Sequence, residues 1–111
     1  MNTSMLEIID KQNIEELQNH YSYSIDSGKY NDLDEMFTPN AIYNFITGFT
    51  DNIEALKQTI REALQPLKTS QHINGNHWAE IEGDFAKAGC YFTVHMHREG
   101  LADGEHFEMG G

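Results

Sequence analysis

A long β-hairpin in the C-terminal third constrains the fold more than any other feature of the sequence. Two segments with strand composition, Gln71–Glu82 and Phe85–Arg98, flank Gly83-Asp84. A glycine in the first position of a two-residue loop suits a type II′ turn, which would pair Glu82 with Phe85. Continued outward without interruption, that register pairs His72 with His95, Asn74 with Thr93, Asn76 with Tyr91, and Trp78 with Gly89 on one face of the sheet.

The two faces of this hairpin differ in character. The face just described mixes imidazole, amide, hydroxyl and aromatic groups, whereas the other is apolar and carries Ile73, Ala79, Ile81, Ala88, Cys90, Phe92, Val94 and Met96. A contiguous apolar face is rarely left in water. We therefore expect a homo-oligomer, a dimer or larger, that forms through this sheet face.

The N-terminal quarter has helical periodicity. Ile14, Leu17, Tyr21 and Ile25 recur at spacings of three and four residues, which predicts a helix over Leu6–Ser27 with Gly28 ending it. A short second helix is predicted over Asn31–Phe37, before Pro39.

The middle of the chain predicts one strand and one further helix. Ala41–Phe45 alternates as a strand, with Tyr43 and Phe45 on one face and Gly48 at its far end. Asp51 and Glu54 form a capping-box pattern before an amphipathic helix that ends at Pro66. Helices followed by antiparallel strands favour the α+β class, with the helices on one face of a curved sheet.

Composition limits the classes of function. A chain of 111 residues has room for one domain. Seven basic and 18 acidic residues give a formal net charge of −11, so nucleic acid and membrane surfaces are poor partners. The single Cys90 cannot form an internal disulfide, and no signal-peptide or membrane-spanning pattern is present, which predicts a cytoplasmic protein.

Two stretches carry a family resemblance: YSYSIDSGKYNDLDEMFTPNAIY and QHINGNHWAEIEGDFAKAGCYF. They resemble the SnoaL-like branch of the nuclear-transport-factor-2-like superfamily, in particular its dehydratase and dehydrochlorinase members. The resemblance implies a cone-shaped α+β fold, in which a curved antiparallel sheet wraps a long N-terminal helix and two further helices around an apolar pocket. Relative to that family, we expect residues 1–111 to be a single domain that lacks the last two strands.

The resemblance also implies a site. Asp26 and His72 fall at the positions of a catalytic dyad, Tyr21 matches a tyrosine of the bile-acid-dehydratase-like members, and His95 or His97 could be a second histidine. The scytalone-dehydratase-like members have tyrosines where this chain has Ile25 and Phe45. The candidate substrate contacts on the first strand and the mixed hairpin face are Tyr43, Phe45, Asn76, Trp78, Tyr91 and His95.

These groups suit proton transfer from carbon. A neutral histidine is a general base near neutral pH, and an aspartate on its other ring nitrogen fixes the tautomer. We expect a lyase or isomerase that acts on a small hydrophobic hydroxy or keto compound without a cofactor. The alternative is a non-catalytic module that binds a small molecule or dimerises. A metal site at His95-Met96-His97 is the weaker interpretation, since it lacks a fixed third ligand.

Overall fold

The computed structural model describes residues 2–45, 48–65, 67–98 and 105–110, and within these ranges the chain has an α+β fold. A long helix α1 (Asn2–Asp26) and a 3₁₀ helix (Tyr30–Glu35) precede a two-stranded sheet of β1 (Tyr43–Phe45) and β2 (Gly48–Thr50). Helix α2 (Ile53–Leu64) leads into an antiparallel sheet of β3 (Leu67–Glu82), β4 (Phe85–Arg98) and β5 (Glu105–Gly110), with β4 in the middle. The predicted class is confirmed.

The end of α1 is defined by its backbone geometry. Gly28 has a φ of 73°, in the left-handed region that glycine adopts most readily. Its N–H donates to the carbonyl of Ile25, and the N–H of Lys29 donates to the carbonyl of Ser24, which is the hydrogen-bond pattern of a Schellman motif. The glycine therefore ends the helix as predicted, and it leaves Asp26 in the last turn.

Helix α2 begins one residue away from the predicted cap. Asn52, not Asp51, is the N-cap, and its side-chain oxygen accepts from the backbone N–H groups of Glu54 and Ala55 at 2.8 and 3.1 Å. The helix ends at Leu64, before Pro66, which lies outside the described residues. Strand β3 then begins at Leu67.

Two strands were not predicted. Strand β2 has only three residues, and β5 begins after residues 99–104, which lie outside the described part of the chain. Three residues are too few for alternation to be recognised against chance. Strand β3 also starts four residues earlier than predicted, at Leu67.

The hairpin turn is as predicted, but the register is not. Glu82 pairs with Phe85, Gly83 has a φ of 58°, and Trp78 pairs with Gly89. Between Gly75 and Trp78 the register shifts by one residue. Asn76 has a φ of 51° at this bulge, a left-handed conformation that asparagine tolerates better than most residues.

The bulge moves each side chain in the first half of β3 to the face of the sheet opposite the predicted one. His72 pairs with Val94 instead of His95, Asn74 pairs with Phe92 instead of Thr93, and Tyr91 pairs with Gly75 instead of Asn76. Because directly opposed residues share a face, His72 and Asn74 lie on the apolar side of the sheet. The uninterrupted register was therefore wrong beyond Trp78.

The apolar face of the hairpin is covered only in part by the described residues. Val94 and Met96 are buried, while Ile73, Trp78 and Tyr91 on the opposite face are each at least half exposed. The oligomeric state stays a prediction. A second cluster of buried side chains joins the end of α1, the 3₁₀ helix, β1 and α2: Ile25, Leu33, Tyr43, Leu56 and Ile60.

Candidate active site

Asp26 lies where a carboxylate is locally unfavourable. It occupies the last turn of α1, next to the negative end of the helix dipole, and that turn contains no basic residue. Three hydrogen bonds from β3 compensate. The Ser70 hydroxyl donates to Oδ1 at 2.8 Å, the His72 backbone N–H donates to Oδ2 at 2.6 Å, and His72 Nδ1 lies 2.7 Å from Oδ1.

The ring of His72 is fixed by this carboxylate. With Nδ1 as the donor to Asp26, Nε2 is the unprotonated nitrogen of the neutral ring. The ring also packs against Phe92, with ring centroids 5.8 Å apart. The side chains of His72 and Asp26 are only 19% and 18% exposed, so the pair is largely removed from bulk water. The two side chains are thus in hydrogen-bond contact.

A cavity of about 530 Å³ lies beside His72, between α1 and the β3–β4 hairpin. Its volume is within the usual range for small-molecule sites. Its lining is predominantly apolar, with a few polar groups, and consists of Leu17, Gln18, Tyr21, Ser22, Ile25, Met36, Phe37, His72, Asn74, Cys90 and Phe92. Such a site would take a compact hydrophobic compound with few polar groups.

Tyr21 lines the cavity together with His72. Burial raises the pKa of its hydroxyl above the ordinary value, so the group remains a hydrogen-bond donor at neutral pH. The Tyr21 ring stands edge-on to Phe37 at 6.2 Å, and Phe37 packs edge-on against Tyr43 at 4.9 Å. Tyr43 is thus buried behind a wall of the cavity rather than in it.

Asn74 ties β3 to α1 beside the cavity. Its Nδ2 donates to the Ser22 hydroxyl at 2.9 Å, and it also lies 3.2 Å from Asn19 Oδ1 and 3.4 Å from the Gln18 carbonyl. The sequence prediction had placed it opposite Thr93. The bulge moved it to the cavity side together with His72.

The other predicted substrate contacts are placed elsewhere. Trp78, Tyr91 and His95 lie on the sheet face opposite His72. On β4, Tyr91 and His95 alternate with Phe92 and Val94, which share the face of His72, and Trp78 pairs with Gly89, which shares the face of Tyr91. Asn76 forms the bulge itself. The Phe45 side chain lies outside the described residues.

Several cavity residues were missed because their signals were weak. Met36 and Phe37 follow the 3₁₀ helix, where no periodicity marks an inward face. Gln18 sits next to the apolar stripe of α1 and reads as a solvent-facing residue. Ser70, which supports Asp26, precedes the segment predicted as a strand. Cys90 and Phe92 were placed on the apolar face but could not be assigned to a cavity from the sequence.

Neither a metal-binding cluster nor a membrane-spanning helix occurs among the described residues. No group of three or more His, Cys, Asp or Glu side chains there has an arrangement that could hold a metal ion. No helix there is both long and apolar enough to cross a bilayer.

Comparison with known proteins supports the family resemblance. A family model described as a SnoaL-like domain matches residues 6–111. Uncharacterized proteins of Mycobacterium tuberculosis and Mycobacterium bovis are 32% identical over 87 residues, a match that covers 77% of this chain and 59% of theirs. The chain thus spans less than two thirds of the length of these relatives.

A solved structure shares the fold. The crystal structure of "Putative Scytalone Dehydratase" from Novosphingobium aromaticivorans superposes with a TM-score of 0.79 over 96% of this chain and 73% of that one. The sequences are 14% identical, so this likeness concerns the fold alone.

Proposed function

Because the chain belongs to the SnoaL-like domain family, we propose that it is a cofactor-independent lyase or isomerase in which His72 removes a proton from carbon. The observation that carries the proposal is the Asp26–His72 contact of 2.7 Å beside a largely apolar cavity. The proposed substrate class is a small hydrophobic hydroxy or keto compound.

The proposed chemistry needs only side chains of this chain. His72 Nε2 takes the proton, and the electron pair of the C–H bond forms a carbon–carbon double bond while an adjacent leaving group departs with its own bonding electrons. A departing hydroxide receives the proton back from the imidazolium and leaves as water. In an isomerisation the proton returns to a different carbon. Asp26 stabilises the imidazolium in both cases.

Tyr21 is proposed as the electrophilic partner. Its protonated hydroxyl can donate to a carbonyl or departing oxygen, and the apolar lining strengthens that hydrogen bond because little water competes for it. General-base catalysis contributes about 10²–10⁴-fold in rate. Positioning of the substrate within the cavity and the Tyr21 hydrogen bond have to supply the rest of the rate acceleration.

The base can be tested without knowing the natural substrate. 5-Nitrobenzisoxazole is a compact aromatic whose ring opens when a base removes its single C3 proton, as the N–O bond breaks to give a coloured cyanophenolate. We expect the protein to accelerate this opening and His72→Ala to reduce kcat/KM by at least about 10²-fold. His20→Ala is a matched control, because His20 is half exposed and its nearest ion-pair partner, Asp32, lies 3.7 Å away.

The outcomes separate the two candidate functions. Equal rates for the wild type and His72→Ala, with both proteins folded by circular dichroism, would contradict the assigned base. A wild type that binds the neutral dye N-phenyl-1-naphthylamine but does not open 5-nitrobenzisoxazole would instead indicate a non-catalytic binding module.

A further inference from the structure

A second cavity of about 310 Å³ adjoins the first, and Gln18 lines both. In the second cavity His77 Nδ1 lies 2.7 Å from Gln18 Oε1, and His77 Nε2 lies 4.0 Å from a carboxylate oxygen of Glu15. The His77 side chain is only 14% exposed. A largely buried imidazole thus contacts the oxygen of the Gln18 amide.

This contact occupies the oxygen of the Gln18 amide. Because Oε1 accepts from His77 Nδ1–H, the amide nitrogen is the polar atom left without that contact, and it carries two hydrogens. The Gln18 backbone is also held, since its carbonyl lies 3.4 Å from Asn74 Nδ2. The amide is therefore oriented before any ligand enters.

We propose that Gln18 Nε2 donates a hydrogen bond to an oxygen of the substrate, and that His77 is a positioning residue that orients this amide. This rests on the proposed function, because it assigns the polar end of the compound bound beside His72. It adds a specificity: the site favours compounds with an acceptor oxygen, such as a carbonyl, over hydrocarbons of the same shape.

Two probe compounds separate this role from packing. 2-Tetralone and tetralin have the same bicyclic skeleton, and only 2-tetralone has a carbonyl oxygen. Their affinities are measured by displacement of N-phenyl-1-naphthylamine from the wild type and from Gln18→Leu, which keeps the side chain's approximate size. We expect Gln18→Leu to weaken 2-tetralone about 3- to 10-fold and to leave tetralin unchanged or tighter.

The role of His77 is tested by rescue. His77→Phe removes the Nδ1 donor and should lower the preference for 2-tetralone, with no additional loss when Gln18→Leu is also present. His77→Asn places an amide N–H near the original Nδ1 position and should restore part of the preference. Equal weakening of both compounds in Gln18→Leu, or a preference unaffected by either substitution, would overturn the proposal.

The test is independent of catalysis. If the ring opening of 5-nitrobenzisoxazole does not depend on His72 but the ketone preference depends on Gln18, the proposed base is wrong and the assigned donor stands. If the ring opening depends on His72 but Gln18→Leu retains the full ketone preference, the donor is wrong and the proposed function stands.

Discussion

Asp26 holds His72 by two separate groups: its Oδ2 accepts the backbone N–H at 2.6 Å and its Oδ1 lies 2.7 Å from ring Nδ1. The backbone contact fixes the carboxylate relative to β3, so the ring contact is made by an acceptor that is already in place. This arrangement fixes the tautomer of His72.

Asp26→Asn should abolish the base while preserving most of the fold. The variant amide must turn its oxygen to the His72 backbone N–H, because that donor cannot reverse. Its NH₂ group then faces His72 Nδ1, which becomes an acceptor and transfers the ring proton to Nε2. We expect kcat/KM for 5-nitrobenzisoxazole to fall about 10²–10⁴-fold.

Ser70→Ala is the matched control for that substitution. It removes one hydrogen bond to Asp26 but leaves the backbone and ring contacts of His72 intact. A loss of less than about 10-fold is expected, in keeping with a single supporting hydrogen bond. An Asp26→Asn variant as active as Ser70→Ala would contradict the assigned role of the carboxylate.

Tyr21→Phe should lower the rate and leave stability nearly unchanged. The ring that packs against Phe37 is retained, and only the hydroxyl is lost. Loss of one donor to a developing oxyanion typically costs about 10²–10³-fold. Because burial raises the Tyr21 pKa, the difference in ring-opening rate between the two proteins should persist from neutral pH up to about pH 10. Identical rates across that range would exclude Tyr21 as a donor.

The effect of substituting Asn76 on the free energy of unfolding should depend on whether the new residue tolerates a left-handed backbone conformation. Asn76→Gly relieves strain at a φ of 51° and is expected to change the free energy of unfolding by less than about 1 kcal/mol. Asn76→Val adds a β-branched side chain there and should destabilise the protein by about 1–3 kcal/mol. Urea unfolding measures both. A valine variant as stable as the glycine variant would show that the bulge does not need this conformation.

Deprotonation of Lys57 at alkaline pH should lower the free energy of unfolding. Its ammonium group is buried and lies 2.6 Å from Asp34 and 3.2 Å from Glu54, and the hydrogen bond to Asp34 is the main reason that its pKa is raised. The stabilisation from a raised pKa is fully present below the unfolded value and is lost as pH rises through the folded value. Urea unfolding should therefore show a greater loss of stability for the wild type than for Lys57→Met as the pH rises from about 10 to about 12. An equal loss in both proteins would contradict this.

The parts of the fold that follow from local rules could be predicted. Gly28 ends α1 and Gly83 forms the hairpin turn because each position requires a positive φ. Glycine adopts a positive φ readily, so its presence at these positions predicts both features. The pairing of Asp26 with His72 was anticipated only through the family resemblance. By itself, a carboxylate in the last turn of a helix is ordinarily a solvated residue.

The bulge at Asn76 is the main feature that could not be predicted. An uninterrupted ladder places His72 and Asn74 on the polar face, and nothing in the alternation of β3 signals the extra residue. The register is set by tertiary packing, which puts both side chains against α1. The candidate contacts Trp78, Tyr91 and His95 were predicted on the assumption that His72 shares their face of the sheet. Because the bulge places His72 on the opposite face, these three residues lie on the other side of the sheet from it.

The protonation state of His72 tests the central claim most directly. Nitrogen-15 NMR of the histidine rings at a pH where His72 is neutral distinguishes a protonated from an unprotonated ring nitrogen. We predict that Nδ1 carries the hydrogen and Nε2 does not, and that Asp26→Asn reverses the two. A wild-type His72 with its hydrogen on Nε2 would have no basic nitrogen on the side of the ring away from Asp26, and that result would contradict the account.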